Sequence, residues 1–290
     1  MGMQRTPGTP TVLITGCASG FGRELVTAYL SRGWTVYASM RRLAERGESF
    51  RAEKTKYGER LRLLELDVAS PTQRESVALE IARTSGGRLD CLVNNAGYGL
   101  FGALEDLSEK QLRAQFDVNF FGLALLTQEC LPLLRATRGR VINLSSVLGF
   151  ATLPLSSAYC ASKYAVEGLS EALRYELSPF GVQVTLIEPG GFATRFTDSS
   201  VWGENSLKPE SPYTRGTSKY QALRTKAGRG KTLGNPDAVV RTIVRASSRR
   251  HLPMRIRCGT DAGLAYFFRK LLPGRLWMAI TEAAFKKILT

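Results

Sequence analysis

The sequence predicts an α/β protein in which about seven short strands form one doubly wound parallel sheet with helices on both faces. Three observations predict it. Short apolar runs alternate regularly with helix-compatible stretches, the pattern of strand–helix–strand crossovers on a parallel sheet. The first apolar run ends in a turn holding three glycines and leads straight into an amphipathic pattern. No repeat or second domain interrupts the 290 residues, 43% of them hydrophobic, so the chain can bury one large core.

Residues 1–10 read as a tail before the first strand, TVLIT (11–15). TGCASGFG (15–22) follows as the glycine turn, and RELVTAYLSRG (23–33) as the first helix. WTVYASM (34–40) is the second strand, RLRLLELDV (60–68) holds the third and LDCLVNNAG (89–97) the fourth, each pair separated by a helical stretch. GRVINLSS (139–146) and VQVTLIEPG (182–190) are the fifth and sixth, with a helix between them that begins near YCASK (159–163). Residues 191–235, rich in Gly, Ser, Thr, Pro and charge, read as an irregular or partly helical segment beyond the carboxyl end of a strand, where lids sit. Helix resumes near Asn235 with Pro236 suited to a first turn, LPMRIRCG makes a seventh strand, and residues 260–290 form an aromatic, basic extension.

Composition narrows the function. The five cysteines (Cys17, Cys91, Cys130, Cys160 and Cys258) are scattered without a CxxC, and His251 is the only histidine, so structural disulfides, a zinc site and a histidine triad are not expected. No apolar run of transmembrane length and no apolar leader before the first strand is seen, and a cytoplasmic location is the expectation. The net charge of +15 is uneven: residues 201–290 carry 18 of the 40 basic side chains but 5 of the 25 acidic ones. Without a finger, zipper or helix-turn-helix pattern, this reads as a basic face for anionic ligands or a weak membrane-surface contact, and nucleic acid is not the expected partner.

Two features carry chemistry. Gly16, Gly20 and Gly22 between the first strand and helix permit a tight turn and the close approach of a pyrophosphate to the helix N-terminus, although glycines also simply connect elements. Tyr159 and Lys163, at i and i+4, lie on one helix face. Such a pair either packs ordinarily or puts an ammonium beside a phenol, whose pKa near 10 a close cation lowers.

The chain resembles the short-chain dehydrogenase/reductase family. TGCASGFG matches its glycine motif, LDV its motif after the third strand and NNAG (94–97) its motif after the fourth. Asn119 in FDVNFFG, Ser146 in NLSSVLG, Tyr159 and Lys163 in YCASK, and Pro189 and Gly190 in EPGG complete the set in order, so that the match runs from about residue 11 to 194. The resemblance implies a Rossmann-type fold, hydride transfer to or from a nicotinamide dinucleotide, and a homodimer or homotetramer built on the long helices holding Asn119 and Tyr159. It also implies four catalytic residues. Tyr159 acts as general acid or base, Lys163 lowers its pKa and binds the nicotinamide ribose, Ser146 hydrogen-bonds the substrate oxygen, and Asn119 holds a water that passes protons to Lys163. Cofactor contacts are implied for Gly16, Ser19, Gly20, Phe21 and Gly22; for Asp67 and Val68; for Asn94, Ala96 and Gly97; and for Tyr159, Lys163, Pro189, Gly190 and Thr194.

An acidic residue after the second strand would favour NAD(H), but ASMRRL places Arg41 and Arg42 there, and an arginine with Ser19 suits a ribose 2′-phosphate. NADP(H) is therefore the expected cofactor. The words TGCASGFG, YASMRR, NNAGYGLFG and YCASKYAVEG look nearest to the branch of 17β-hydroxysteroid and retinol dehydrogenases. They suggest a small lipophilic alcohol, ketone or aldehyde, enclosed by Phe192, Phe196, Val201, Trp202 and Tyr213 of the lid and by the tail around 266–268. A redox-silent sensor or scaffold and a basic membrane-surface binder are the alternatives; the first would be expected to lose Ser146, Tyr159 or Lys163, and all three are present.

Overall fold

The computed structural model describes residues 8–192, 196, 199–229 and 233–289. Thr194 and the tail before Gly8 lie outside the described residues. The chain forms β1 (Thr11–Ile14), β2 (Thr35–Met40), β3 (Leu61–Glu65), β4 (Cys91–Asn94), β5 (Leu100–Phe101), β6 (Arg140–Leu144), β7 (Gln183–Pro189), β8 (Val201–Trp202) and β9 (Arg255–Cys258). Seven of these make a sheet of order β3-β2-β1-β4-β6-β7-β9, every pair parallel. The chain runs outward from β1 to β3, then returns to add β4 on the other side of β1. That reversal leaves a crevice at the carboxyl ends of β1 and β4, where ligands bind in folds of this kind.

Strand alternation explains the two cores. Val12 and Ile14, Val36 and Ala38, and Cys91 and Val93 face one side, where the helices Gly20–Leu30 and Asp237–Ser248 cover them. Leu13, Tyr37, Leu92 and Val141 face the other, under the helices Pro71–Ser85 and Leu123–Thr137. Strands buried on both faces read as continuous apolar runs, which is why the pattern was legible. Helix starts carry their own signals. Ser70 caps Pro71–Ser85 by accepting from the Gln73 amide, and Ser108 with Gln111 forms a capping box before Glu109–Phe116.

One part differs from the sequence expectation. β5 and β8 make a separate two-stranded parallel sheet, each too short for a period-two signal. Within 191–235 the chain forms β8 and a helix, Thr214–Arg229, that packs on the last helix, Gly274–Leu289. The C-terminal extension is Thr260–Leu271 and Gly274–Leu289, broken at Pro273. All five cysteines are free and buried. Among the described residues no helix is long and apolar enough to cross a membrane, and no cluster of metal-ligating side chains occurs.

Candidate active site

The crevice opens because β1 and β4 are tied together at their ends. Thr15 Oγ accepts from the backbone amides of Asn95 (3.0 Å) and Ala96 (2.9 Å), and Asn95 Nδ2 donates to the Thr15 carbonyl (2.7 Å). Gly16 stands at φ +73°, where a Cβ would come 2.9 Å from the Ala96 Cα. A Cβ on Gly22 would lie 2.4 Å from the Gly16 carbonyl oxygen, so this glycine lets the first helix press on the turn. Ser19 precedes that helix and its hydroxyl makes no capping bond, so it and the first-turn amides stay open to an anion.

A cleft of about 870 Å³ extends from this turn. Gly16, Ser19, Gly20 and Phe21 line its floor, and Arg41, Asp67 and Val68 one end. Ala96, Gly97, Ser146, Tyr159, Lys163, Pro189 and Gly190 line the rest. Glu65 holds the turn after β2 by accepting from the amides of Arg42 (3.1 Å) and Leu43 (3.0 Å). Arg41 then lines the cleft while Arg42 turns outward to Glu45, 3.6 Å away.

At the other end the helix Ser157–Leu177 buries Tyr159 and Lys163 together. Burial pushes the Tyr159 phenol up to about 12, while its hydrogen bond with Ser146 and the charge of Arg224 pull it down. Burial also draws Lys163 down to about 8, opposed by the carboxylate of Glu167. Lys163 Nζ donates to the Leu144 carbonyl (2.7 Å) and lies 5.8 Å from the Tyr159 ring centroid. In this geometry the downward pull on Tyr159 comes from Ser146 and Arg224, while Lys163 reaches past the ring to the Leu144 carbonyl at the end of β6.

A family model described as short chain dehydrogenase matches residues 10–205. The chain belongs to the short-chain dehydrogenase family. It is 33% identical over 275 residues to the uncharacterized oxidoreductase YusZ of Bacillus subtilis, spanning 93% of this chain and 96% of that one. It is 36% identical over 259 residues to retinol dehydrogenase 8 of Bos taurus, covering 86% and 81%. A solved short-chain dehydrogenase from Streptomyces avermitilis superposes with a TM-score of 0.78 at 31% identity, covering 98% of both chains. A short-chain dehydrogenase/reductase from Burkholderia phymatum, solved in complex with NAD, gives 0.72 at 26% identity, covering 87% and 90%. The protein is thus an oxidoreductase of the class that acts on CH–OH groups with NAD(P).

Not every residue expected to touch the cofactor lines the cleft. Asn94 does not line the cleft: its Nδ2 donates to Thr127 (2.9 Å) and Asn143 (2.8 Å) in the interior, since β4 turns that side chain away from the crevice. Its neighbour Asn95 lines the cleft instead. Gly22 also lies behind the lining, acting by close packing. Asn119 sits in a π-helical turn, Asp117–Gly122, with its amide bonded to both backbone groups of Tyr98 (3.1 and 3.0 Å) and to Ser162 (3.2 Å). These bonds make its side chain a clamp between the strand exit and the Tyr159 helix.

The Tyr159 end of the cleft is backed by an aromatic cluster. Phe101, Tyr159 and Tyr220 form a buried cluster with Phe196, Trp202 and Tyr213 packed on it. Phe192 instead meets Phe21 edge-on at 6.0 Å, on the nucleotide side, and Val201 lines the cleft. Tyr266 stacks away from the cleft on Phe150 and under Arg257, and Phe267 and Phe268 are exposed. The tail contributes Phe285 and Ile288 to the cluster rather than the expected 266–268. Two further cleft residues, Arg46 and Arg224, belong to no motif; one ends the short helix Leu43–Arg46 and the other lies on the helix Thr214–Arg229.

Proposed function

We propose that the protein is an NADP(H)-dependent oxidoreductase interconverting a lipophilic alcohol and its ketone or aldehyde, with Tyr159 as general acid and base. The observation that carries it is one continuous cleft joining the open helix N-terminus and two arginines to Ser146, Tyr159 and Lys163. These residues fit a nicotinamide dinucleotide: Ser19 and the helix amides would hold the pyrophosphate, Arg41 with Arg46 the 2′-phosphate, and Lys163 the nicotinamide ribose. When bound, the dinucleotide supplies the hydride for reduction or accepts it in oxidation.

Tyr159 donates its proton to the substrate oxygen in reduction and takes it back in oxidation. A phenol held near 12 is neutral at physiological pH, which prepares it as the acid. Ser146 hydrogen-bonds the same oxygen as charge develops on it. Phe101, Phe196 and Val201, which line the cleft beside Tyr159 with Trp202 and Tyr220 packed behind Phe101, keep water from the reacting carbon. A redox-silent role is not favoured, because the three reactive side chains are brought together rather than dispersed.

The single-domain organisation, the lid over 191–235, a cytoplasmic location and a homo-oligomer belong to the same reading. So does weak contact with anionic membrane, supported by exposed Leu264, Phe267 and Leu271 beside Arg269 and Lys270. Following nicotinamide absorbance over a panel of carbonyls and alcohols, with NADPH and NADH in parallel, tests the assignment. Arg41→Asp is expected to weaken NADPH by roughly 10-fold or more and NADH by less, since a charge-assisted contact becomes a repulsion. Equal weakening of both would remove Arg41 as the selector.

A further inference from the structure

The aromatic end of the cleft contains one charge that belongs to none of the family motifs. Arg224 rises from the helix Thr214–Arg229 and lines the cleft. Its guanidinium carbon lies 3.8 Å above the Phe101 ring centroid and 5.9 Å from that of Tyr220. Among the described residues it makes no ion pair, and its buried Nε has no hydrogen-bond partner. Phe101 is in turn 5.8 Å from Tyr159, centroid to centroid. The guanidinium therefore sits within roughly 10 Å of the Tyr159 ring, close enough for its field to reach the phenol in a medium of low dielectric.

A wholly apolar ligand gains nothing from this arrangement. A half-buried guanidinium held on ring faces, with its buried Nε unpaired, leaves donors that an anion satisfies. Its planar donors match a carboxylate in two parallel hydrogen bonds. The acidic side chains that line the cleft, Asp67, Asp117 and Asp261, come from elements at its nucleotide end, and Asp261 is already engaged by the Gly191 amide (2.6 Å).

We propose that Arg224 forms an anion subsite in the substrate cavity, so that the preferred substrates are carbonyl or hydroxy compounds carrying a carboxylate several bonds from the reacting carbon, with Phe101, Phe196 and Val201 enclosing the apolar stretch between. This rests on the oxidoreductase reading and narrows its substrate class. Arg224 is a specificity residue in it, touching substrate at a distance from the reacting atoms.

Two measurements test it separately. In the first, isothermal titration of the protein saturated with NADP compares octanoate with octanamide, ligands that do not react. Wild type is expected to bind the carboxylate roughly 10-fold or more tightly than the amide, as a charge-assisted pair allows. That preference should vanish in Arg224→Met, which keeps the length of the stem, and return in part in Arg224→Lys, while NADP affinity holds. In the second, kcat/KM is compared for oxo-alkanoic acids, with the ketone placed progressively further from the carboxylate, and for their methyl esters. The acid-to-ester ratio should exceed one in wild type and fall in Arg224→Met. No carboxylate preference in wild type, or one that Arg224→Met leaves intact, overturns the subsite. An Arg224→Met variant that loses NADP affinity to the same degree also overturns it, by assigning the arginine to the nucleotide. Carboxylate-selective binding that depends on Arg224, without NADPH oxidation by any carbonyl, upholds the subsite and removes the oxidoreductase reading alone.

Discussion

Lys163 carries the site's pH dependence. Burial lowers it to about 8, whereas burial raises Tyr159 to about 12, so between those values the lysine has lost its charge and the phenol has kept its proton. The charged ammonium is the form that supports negative charge on Tyr159 oxygen and donates to a ribose. Carbonyl reduction is therefore expected to lose kcat/KM as pH rises through about 8, with no second loss from Tyr159 in the usual range. Lys163→Arg keeps its charge throughout that range, and its residual activity should show no such descent. A descent that survives in the arginine variant assigns the titration to another group. The Tyr159–Lys163–Ser146 set was legible because fixed helical spacing and ordered motifs carry it. Arg224 was not, because a lone arginine in a polar, charged helix looks like any solvated residue until the fold sets it beside Phe101. Asn94 shows the converse: its motif is legible, but which of two adjacent asparagines faces the crevice depends on the strand's pleat.

At the scale of elements, the seven strands of the main sheet and their crossovers could be read from apolar runs bounded by glycine turns. β5 and β8 could not, since two-residue strands have no periodicity, and the mostly polar helix Thr214–Arg229 was legible only as part of an irregular or partly helical segment. That helix buries only Gly216, Thr217 and Tyr220 among its described side chains, and β8 is held to the fold by backbone bonds from Val201 to Gly99 and from Gly203 to Phe101. Few buried contacts imply a low free energy of local opening. Amides of 214–229 are expected to exchange faster than those of β1 and β4 in the free protein. They should slow when NADP and a non-reacting ligand fill the cleft and complete the wall behind Arg224. A segment already protected to the level of the sheet without ligand would not be a lid.

For the whole molecule, two neighbouring helices leave large side chains uncovered. Phe121 (49% exposed) and Leu125 (38%) lie on the run from the π-helical turn into Leu123–Thr137, and Tyr164 (41%) on the neighbouring helix that carries Tyr159. A second copy is expected to cover them, giving a dimer or tetramer by light scattering and a monomer for Phe121→Glu. A wild-type mass near the 31.9 kDa of one chain at micromolar concentration contradicts this. Pairing of the catalytic helices would also brace the site from behind. The central claim is that this fold gathers Ser146, Tyr159 and Lys163 for proton transfer beside a bound nicotinamide. Turnover of Tyr159→Phe, measured on the best carbonyl found for wild type with NADPH affinity measured alongside, tests it most directly. The account predicts NADPH affinity within a few-fold of wild type and kcat lower by roughly 10²-fold or more, the usual cost of a lost general acid. A phenylalanine variant that turns over like wild type would contradict it.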